Sequence, residues 1–264
     1  MMMAALVGDI DVADLSITYT GAHTDYGMVT MSDGARYRLL AFTSSGTLSI
    51  EQPVNCEVCV VGGGANGARS TSDQGGDGGA GAYLKNQSVS AYNGGSVVVG
   101  AAQGISSIGG VSVAAVSGKN GGTGAGGQTA GTGDGMSKYP FEDTGYSLWA
   151  DKPHCGGGGQ GAYEYWTSAS SKQGYDGGNG GTNGSNGHSR GNSLTSYPWA
   201  GAGGSYGGGS GGGGSGKGNK ATYYGSGAGG GRRGQSENGT YFFYDGGSGY
   251  QGIVYIRIPE EQAA

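Results

Sequence analysis

The chain of 264 residues is long enough for one large domain or two small ones, and 66 of those residues are glycine. Five prolines and an irregular glycine spacing exclude collagen, which needs glycine at every third position and abundant proline. The 14 Lys and Arg against 19 Asp and Glu give a net charge of -5, and Arg232-Arg233 is the only adjacent basic pair, which argues against a nucleic-acid or anionic-membrane partner.

Leu, Ile, Val and Phe make up about 13% of the chain, below the ~20% under which disorder becomes a serious reading. Low net charge, 18 tyrosines and recurring apolar segments oppose that reading. No apolar run approaches membrane-spanning length, so no membrane insertion is expected.

In chain order, the start MMMAALVGDIDVADL has no Lys or Arg ahead of its apolar patch, so no secretory signal is expected there. HTDYGMVTMSDGARYRLL (23–40) has the composition of a hairpin. Residues 1–50 are expected to be an attachment region of short β-segments, and 51–264 a glycine-rich unit. The strand-like CEVCVV (56–61) then runs into Gly62-x-Gly64-x-x-Gly67. That spacing matches the dinucleotide fingerprint, but the fingerprint requires a helix next. ARSTSDQGGDGGAGAY follows, without helical periodicity.

Cys56-x-x-Cys59 lies in strand sequence, where residues three apart face opposite sides, so no metal site is expected. Among three cysteines an odd one remains, which excludes a disulfide scaffold. GGGGSGKG (211–218) resembles a phosphate loop, but the position that should hold Ser or Thr is Gly218. His23, His154 and His188 and the scattered acids form no catalytic constellation, so neither an enzyme nor a cofactor is expected. Asn183-Gly184-Ser185 and Asn238-Gly239-Thr240 fit the glycosylation acceptor by chance.

The glycines recur in steps of three: Gly75, Gly78, Gly81; Gly118, Gly121, Gly124, Gly127; Gly178, Gly181, Gly184, Gly187; and Gly201, Gly204, Gly207. That period belongs to the polyproline-II type of helix and to neither the α-helix nor the strand. Such a helix makes no internal hydrogen bonds, so a buried bundle of them must pair its backbone groups laterally. Glycine supplies the N–H that proline lacks and permits close approach of neighbouring backbones. The expected class is mainly irregular and β, with packed glycine helices, short strands and aromatic-rich loops.

FTSSGTLSI (42–50), CEVCVVGGGANG (56–67), GGDGGAGAYL (75–84) and GYQGIVYIRI (249–258) resemble, in this order, the glycine-rich domain of bacteriophage tail proteins. The chain is similar in style to the distal tail-fibre adhesins of T-even-like phages. That resemblance spans about residues 42–258. It implies a polyglycine-II sandwich whose tip loops bind a host outer-surface protein or glycan, on a virion and working outside the cell. The N-terminal region would join a tail-fibre shaft or tail-tip protein. The rival reading is a structural or capping component of a virion or surface layer, whose loops contact other subunits.

If each glycine run crosses the bundle once, the loops alternate between two ends. Loops 68–74, 136–155, 188–200 and 235–245 then share the far end, while 162–173 and 219–224 lie near the closing strands. The candidate receptor contacts are Arg69, Asp73, Tyr139, Phe141, Tyr146, Trp149, Tyr197, Trp199, Tyr241, Phe242, Phe243 and Tyr244. Aromatics among adaptable Ser, Gly and Asn are the chemistry of binding loops. The competing expectation is that these rings fold inward and cap the glycine scaffold. Tyr163, Tyr165 and Trp166 are expected on the attachment side.

Overall fold

The computed structural model describes residues 11–31, 34–70, 75–76, 78–79, 81–82, 84–113, 163–168, 171–175, 216–236 and 238–262. Among these there are twelve strands and no helix: β1 (Ile17–Tyr19), β2 (His23–Thr30), β3 (Arg36–Phe42), β4 (Gly46–Val61), β5 (Leu84–Val98), β6 (Ser107–Ile108), β7 (Val111–Ser112), β8 (Tyr163–Ser168), β9 (Ser171–Tyr175), β10 (Arg233–Gln235), β11 (Tyr241–Phe243) and β12 (Ile253–Pro259). The protein is thus of mainly β and irregular class.

Eight strands form one sheet in the order β2-β3-β12-β4-β5-β6-β7, with β1 also paired to β4. The expected 23–40 hairpin is present as β2 and β3. The boundary expected at residue 50 falls inside β4, and β12 pairs with both β3 and β4. β1 to β4 therefore share one sheet with the C-terminal strand β12.

Period-two alternation sorts the side chains of this sheet. Val54, Cys56, Val58 and Val60 of β4 join Val254, Ile256 and Ile258 of β12 in the main core, with Leu40 and Phe42. Cys59, Val61, Ile253 and Tyr255 point to a second cluster on the opposite face. The pairing of β4 with β5 shifts register between Ser49 and Val54, and again before Cys56. Leu48 and Ile50 keep the parity of Val58 along β4 and join the same core, as does Val97 of β5.

The glycine segments grow from one end of this sheet, where Val61 of β4 lies between Ile253 of β12 and Leu84 of β5. Residues 62–70 run outward and 75–82 return to β5. Residues 216–222 run inward, turn at Tyr223–Ser226, and 226–232 run out again. After the β10–β11 hairpin, 244–252 return into β12.

The segments are joined by backbone bonds in steps of three. Gly64, Gly67 and Ser70 N–H donate to the carbonyls of Tyr250, Gly247 and Tyr244 at 2.8, 3.0 and 3.1 Å. Gly76, Gly79 and Ala82 donate to Gly231, Ala228 and Gly225, each at 2.7 Å. Ala228 and Gly231 donate in turn to Ala65 and Ala68 at 3.0 and 2.9 Å, and Gly229 to Asn219 at 2.9 Å. Tyr250 and Gly247 donate back to Ser226 and Gly229 at 3.0 and 2.8 Å. The 225–232 segment thus sits among four others and is buried throughout.

Glycine is required here by proximity. A Cβ built on Gly67 would lie 1.9 Å from the Gly229 carbonyl oxygen, and one on Gly231 would lie 1.9 Å from that of Tyr244.

Among the described residues, 219–224 and 235–245 lie at the ends expected from alternation, while 71–74 lie outside the described residues, and two corrections are needed. The first outward segment continues to Ser70, which is bonded to Tyr244, so residues 68–70 belong to the packed scaffold and not to a loop. Residues 162–173 are also misplaced by simple alternation. Tyr163 of β8 pairs in parallel with Arg233 of β10, in a four-stranded sheet ordered β11-β10-β8-β9. The strand carrying Tyr163, Tyr165 and Trp166 therefore lies at the far end, not on the attachment side.

Candidate functional site

Among the described residues, glycines of the motifs that mimic nucleotide sites are bonded to their own neighbours. Gly63, Gly64 and Gly67 spend their N–H groups on the carbonyls of Gly104, Tyr250 and Gly247. Gly218 N–H is bonded to Asp245, and a Cβ there would meet the Gly229 carbonyl at 2.0 Å. A phosphate cradle needs such donors open. Cys56 and Cys59 enter separate clusters on opposite faces of β4, so they do not share a ligand. Burial, with some help from Glu57, pushes the Cys56 thiol up to about 12, so it is an unreactive core residue.

The far end gathers two stretches distant in sequence. Arg69 is exposed at the tip of the first outward segment, and its Nε lies 3.5 Å from Asp245 Oδ1, with both side chains about two-thirds exposed. Ser70 Oγ donates to the Arg232 carbonyl at 2.7 Å and accepts from Tyr244 N–H at 3.0 Å. This ties the Arg69 segment to the β10–β11 hairpin.

Within that hairpin the aromatics divide. Tyr241 and Phe242 are each 46% exposed, whereas Phe243 and Tyr244 are half-buried. The Tyr244 ring lies against Gly216, where a Cβ would come within 2.4 Å of it. Tyr241 and Phe243 stack at 6.2 Å between centroids, and the Arg233 guanidinium carbon sits 4.4 Å from the Tyr241 centroid. Arg232 and Arg233 are themselves buried beneath.

The tip of the hairpin is fixed by its own polar groups. Asn238 Oδ1 accepts from Thr240 N–H at 3.2 Å and from Ser236 Oγ. Gly239 adopts φ +85°, which its lack of a Cβ permits. These aromatics are presented on ordered backbone, which reduces the entropy lost on binding.

Beside them lies an open pocket of ≈ 290 Å³, lined by Asn66, Gly67, Arg69 and Asp245–Ser248. The three-residue step explains the lining. With 64, 67 and 70 bonded to one neighbour and 65 and 68 to another, 66 and 69 face outward. Asp245 and Ser248 are exposed on the adjoining segment, although their carbonyls accept from Gly218 and Ala221 N–H, each at 3.0 Å. Reading the glycine period in both segments would have singled out Asn66, Asp245 and Ser248, which sequence analysis passed over.

Sequence analysis also passed over a tyrosine group at the base of the glycine segments. Tyr223 and Tyr224 meet edge to face at 5.3 Å, and Tyr224 meets Tyr250 at 5.4 Å. They pack over Tyr255, whose hydroxyl is pushed well above its usual range by burial, with smaller contributions from Tyr223, Cys59 and Tyr26.

Of the twelve candidate contacts, Arg69, Tyr241, Phe242, Phe243 and Tyr244 are thus brought to one end. Asp73, Tyr139, Phe141, Tyr146, Trp149, Tyr197 and Trp199 lie outside the described residues. No family model and no curated protein matches the chain.

Proposed function

We propose that the chain is a bacteriophage tail-fibre or tail-tip adhesin that binds a host surface molecule through the far end of a polyglycine-II sandwich. The lateral backbone bonds in steps of three support the sandwich, because three residues per turn is the polyproline-II period. One observation carries the functional reading. Arg69 and the exposed Tyr241 and Phe242 are presented together on tied-down backbone at the far end. The segment from Val61 to Ser70 would hold them roughly 28 Å beyond the sheet, at ~3.1 Å per residue. Function on loops carried by a rigid scaffold follows general expectation.

The mechanism is adhesion without bond chemistry. Tyr241 and Phe242 supply apolar contact area, and Arg69, Asp245, Asn66 and Ser248 supply directional polar contacts beside it. Affinity per copy can be modest when several fibres engage at once. The eight-stranded sheet, at the opposite end, is the side suited to attachment to a shaft or tail-tip protein.

The test is negative-stain imaging of virions labelled with antibody to this chain. The adhesin reading expects label at the free end of a fibre or tail tip. Label spread over a capsid or surface layer, with purified protein assembling on itself, would establish the structural reading instead.

A further inference from the structure

At the far end, β11 is an edge strand of the four-stranded sheet among the described residues. The β10–β11 hairpin closes with Ser236 N–H donating to the Thr240 carbonyl at 2.8 Å and Tyr244 N–H to the Arg232 carbonyl at 3.2 Å. Gly234 stands opposite Phe242. The bonded pairs are therefore 236/240, 234/242 and 232/244. In an antiparallel ladder the intervening residues turn their polar groups away from the partner strand. The N–H and C=O groups of Tyr241 and Phe243 thus face away from β10, and among the described residues neither has another hydrogen bond. Two donors and two acceptors repeat at two-residue spacing, about 7 Å.

A contrast within the molecule sharpens the point. The outer edge of β2 is interrupted by a register shift between Asp25 and Met28, with Gly27 at φ +66° and Asp25 paired to Arg38 at 2.8 Å. Bulges and charges of this kind keep sheet edges from pairing with other chains. β11 reads Tyr-Phe-Phe, with no charge, proline or bulge, and two of its three rings are 46% exposed.

We propose that the outer edge of β11 is a strand-pairing site for an extended segment of a partner protein, which adds as a fifth strand to the four-stranded sheet. The incoming backbone bonds to Tyr241 and Phe243. Its alternating side chains pack against Phe242 on one face and against the Tyr241–Phe243 stack on the other. Strand addition of this kind draws affinity from main-chain bonds and specificity from alternate side chains. Sugar hydroxyls do not reproduce a ladder of donors and acceptors at this repeat, so the occupant is polypeptide. The proposal rests on the reading of the far end as the binding end and names the class of ligand it takes.

The test uses the full chain against an immobilised array of decapeptides that alternate Thr or Ser with Val, Ile or Tyr, and in parallel against an array of bacterial surface glycans. Phe243→Pro removes an outward N–H at an edge position, where proline is tolerated, and its ring obstructs an added strand. Phe243→Leu keeps the N–H. The wild type is expected to bind a subset of peptides. Phe243→Pro should bind them at least ten-fold more weakly, and Phe243→Leu within about three-fold of wild type.

Amide exchange on the wild type needs no variant. The Tyr241 and Phe243 amides should become protected only when peptide is bound. The proposal is overturned by a chain that binds no peptide, by equal binding in Phe243→Pro, or by binding to the glycan array alone. A dimer in sedimentation that Phe243→Pro abolishes would also overturn it, because the occupant is then a second copy. Proline-sensitive peptide binding without attachment to any bacterial surface would uphold the pairing site and sink the adhesin reading.

Discussion

Gly67→Ala is the most informative single substitution, because two pictures of the glycine segments give opposite signs. In the packed arrangement the new Cβ sits 1.9 Å from the Gly229 carbonyl oxygen and 2.4 Å from its carbon, both backbone atoms that cannot rotate aside. Reaching even a tight 3.0 Å contact requires a displacement of roughly 1.1 Å, well beyond what a close-packed interior absorbs without loss.

That displacement stretches the Gly67–Gly247 bond of 3.0 Å, the Gly247–Gly229 bond of 2.8 Å and the Gly229–Asn219 bond of 2.9 Å. Two or three such bonds at about 1 kcal/mol each, with a buried donor left unpaired at about 1–3 kcal/mol, give a loss of about 3–6 kcal/mol. The stiffer unfolded chain of Ala returns about 0.4–1 kcal/mol. The net loss is about 2–5 kcal/mol, which lowers Tm by about 4–20 °C for a domain of this size. Thermal unfolding followed by circular dichroism reads it. A Tm equal to or above that of wild type is what a flexible Gly/Ser linker would give, and it would refute the packed arrangement.

Further outcomes follow from other sites. Arg69→Ala should leave Tm within about 2 °C of wild type, because an ion pair this exposed contributes about 0–1 kcal/mol, and should weaken binding at the far end. Cys56 should resist iodoacetamide at pH 8 in the folded chain and react once urea unfolds it, as mass spectrometry of the digest would show. With its thiol pushed up to about 12, roughly one molecule in ten thousand carries the thiolate at that pH.

Asp25 gives a pH signature. Burial alone would raise its carboxyl, but the Arg38 hydrogen bond, the Gly27 N–H and the Arg38 charge outweigh it and hold it below 3.8. A carboxylate depressed in the folded state contributes stability above the unfolded value, and that contribution is lost as pH falls through the folded value. The Asp25→Asn variant should therefore differ most from wild type near neutral pH and converge on it as pH falls through the depressed folded-state value, in denaturant titrations.

Much of this fold is written locally. Alternation in CEVCVV places Cys56 and Cys59 on opposite faces, and the three-residue glycine period reappears as the hydrogen-bond step. In the first return segment, however, the donors fall on 76, 79 and 82, one residue after the glycines counted in sequence, because which row faces which neighbour is set by lateral packing. The pairing of Tyr163 with Arg233 was not legible either. A parallel contact across 70 positions leaves no trace in local pattern, and simple alternation sent that strand to the wrong end.

The register shifts between β4 and β5 are similar. They fall beside the positive φ of Ala91, Gly94 and Gly95, which only the paired strands reveal. The division of the terminal aromatics, with Tyr241 and Phe242 outward and Tyr244 covering Gly216, depends on which ring meets the scaffold. Composition identified the loop as aromatic without separating these roles.

The central claim is that the far end binds a host surface while the glycine scaffold merely presents it. The most direct measurement is competition by purified protein against virion adsorption to host cells, comparing wild type with the Tyr241→Ala/Phe242→Ala double variant. Both replaced side chains are 46% exposed, so the variant should keep its Tm within a few degrees and lose at least ten-fold in competition. Full competition by a folded double variant would contradict the account.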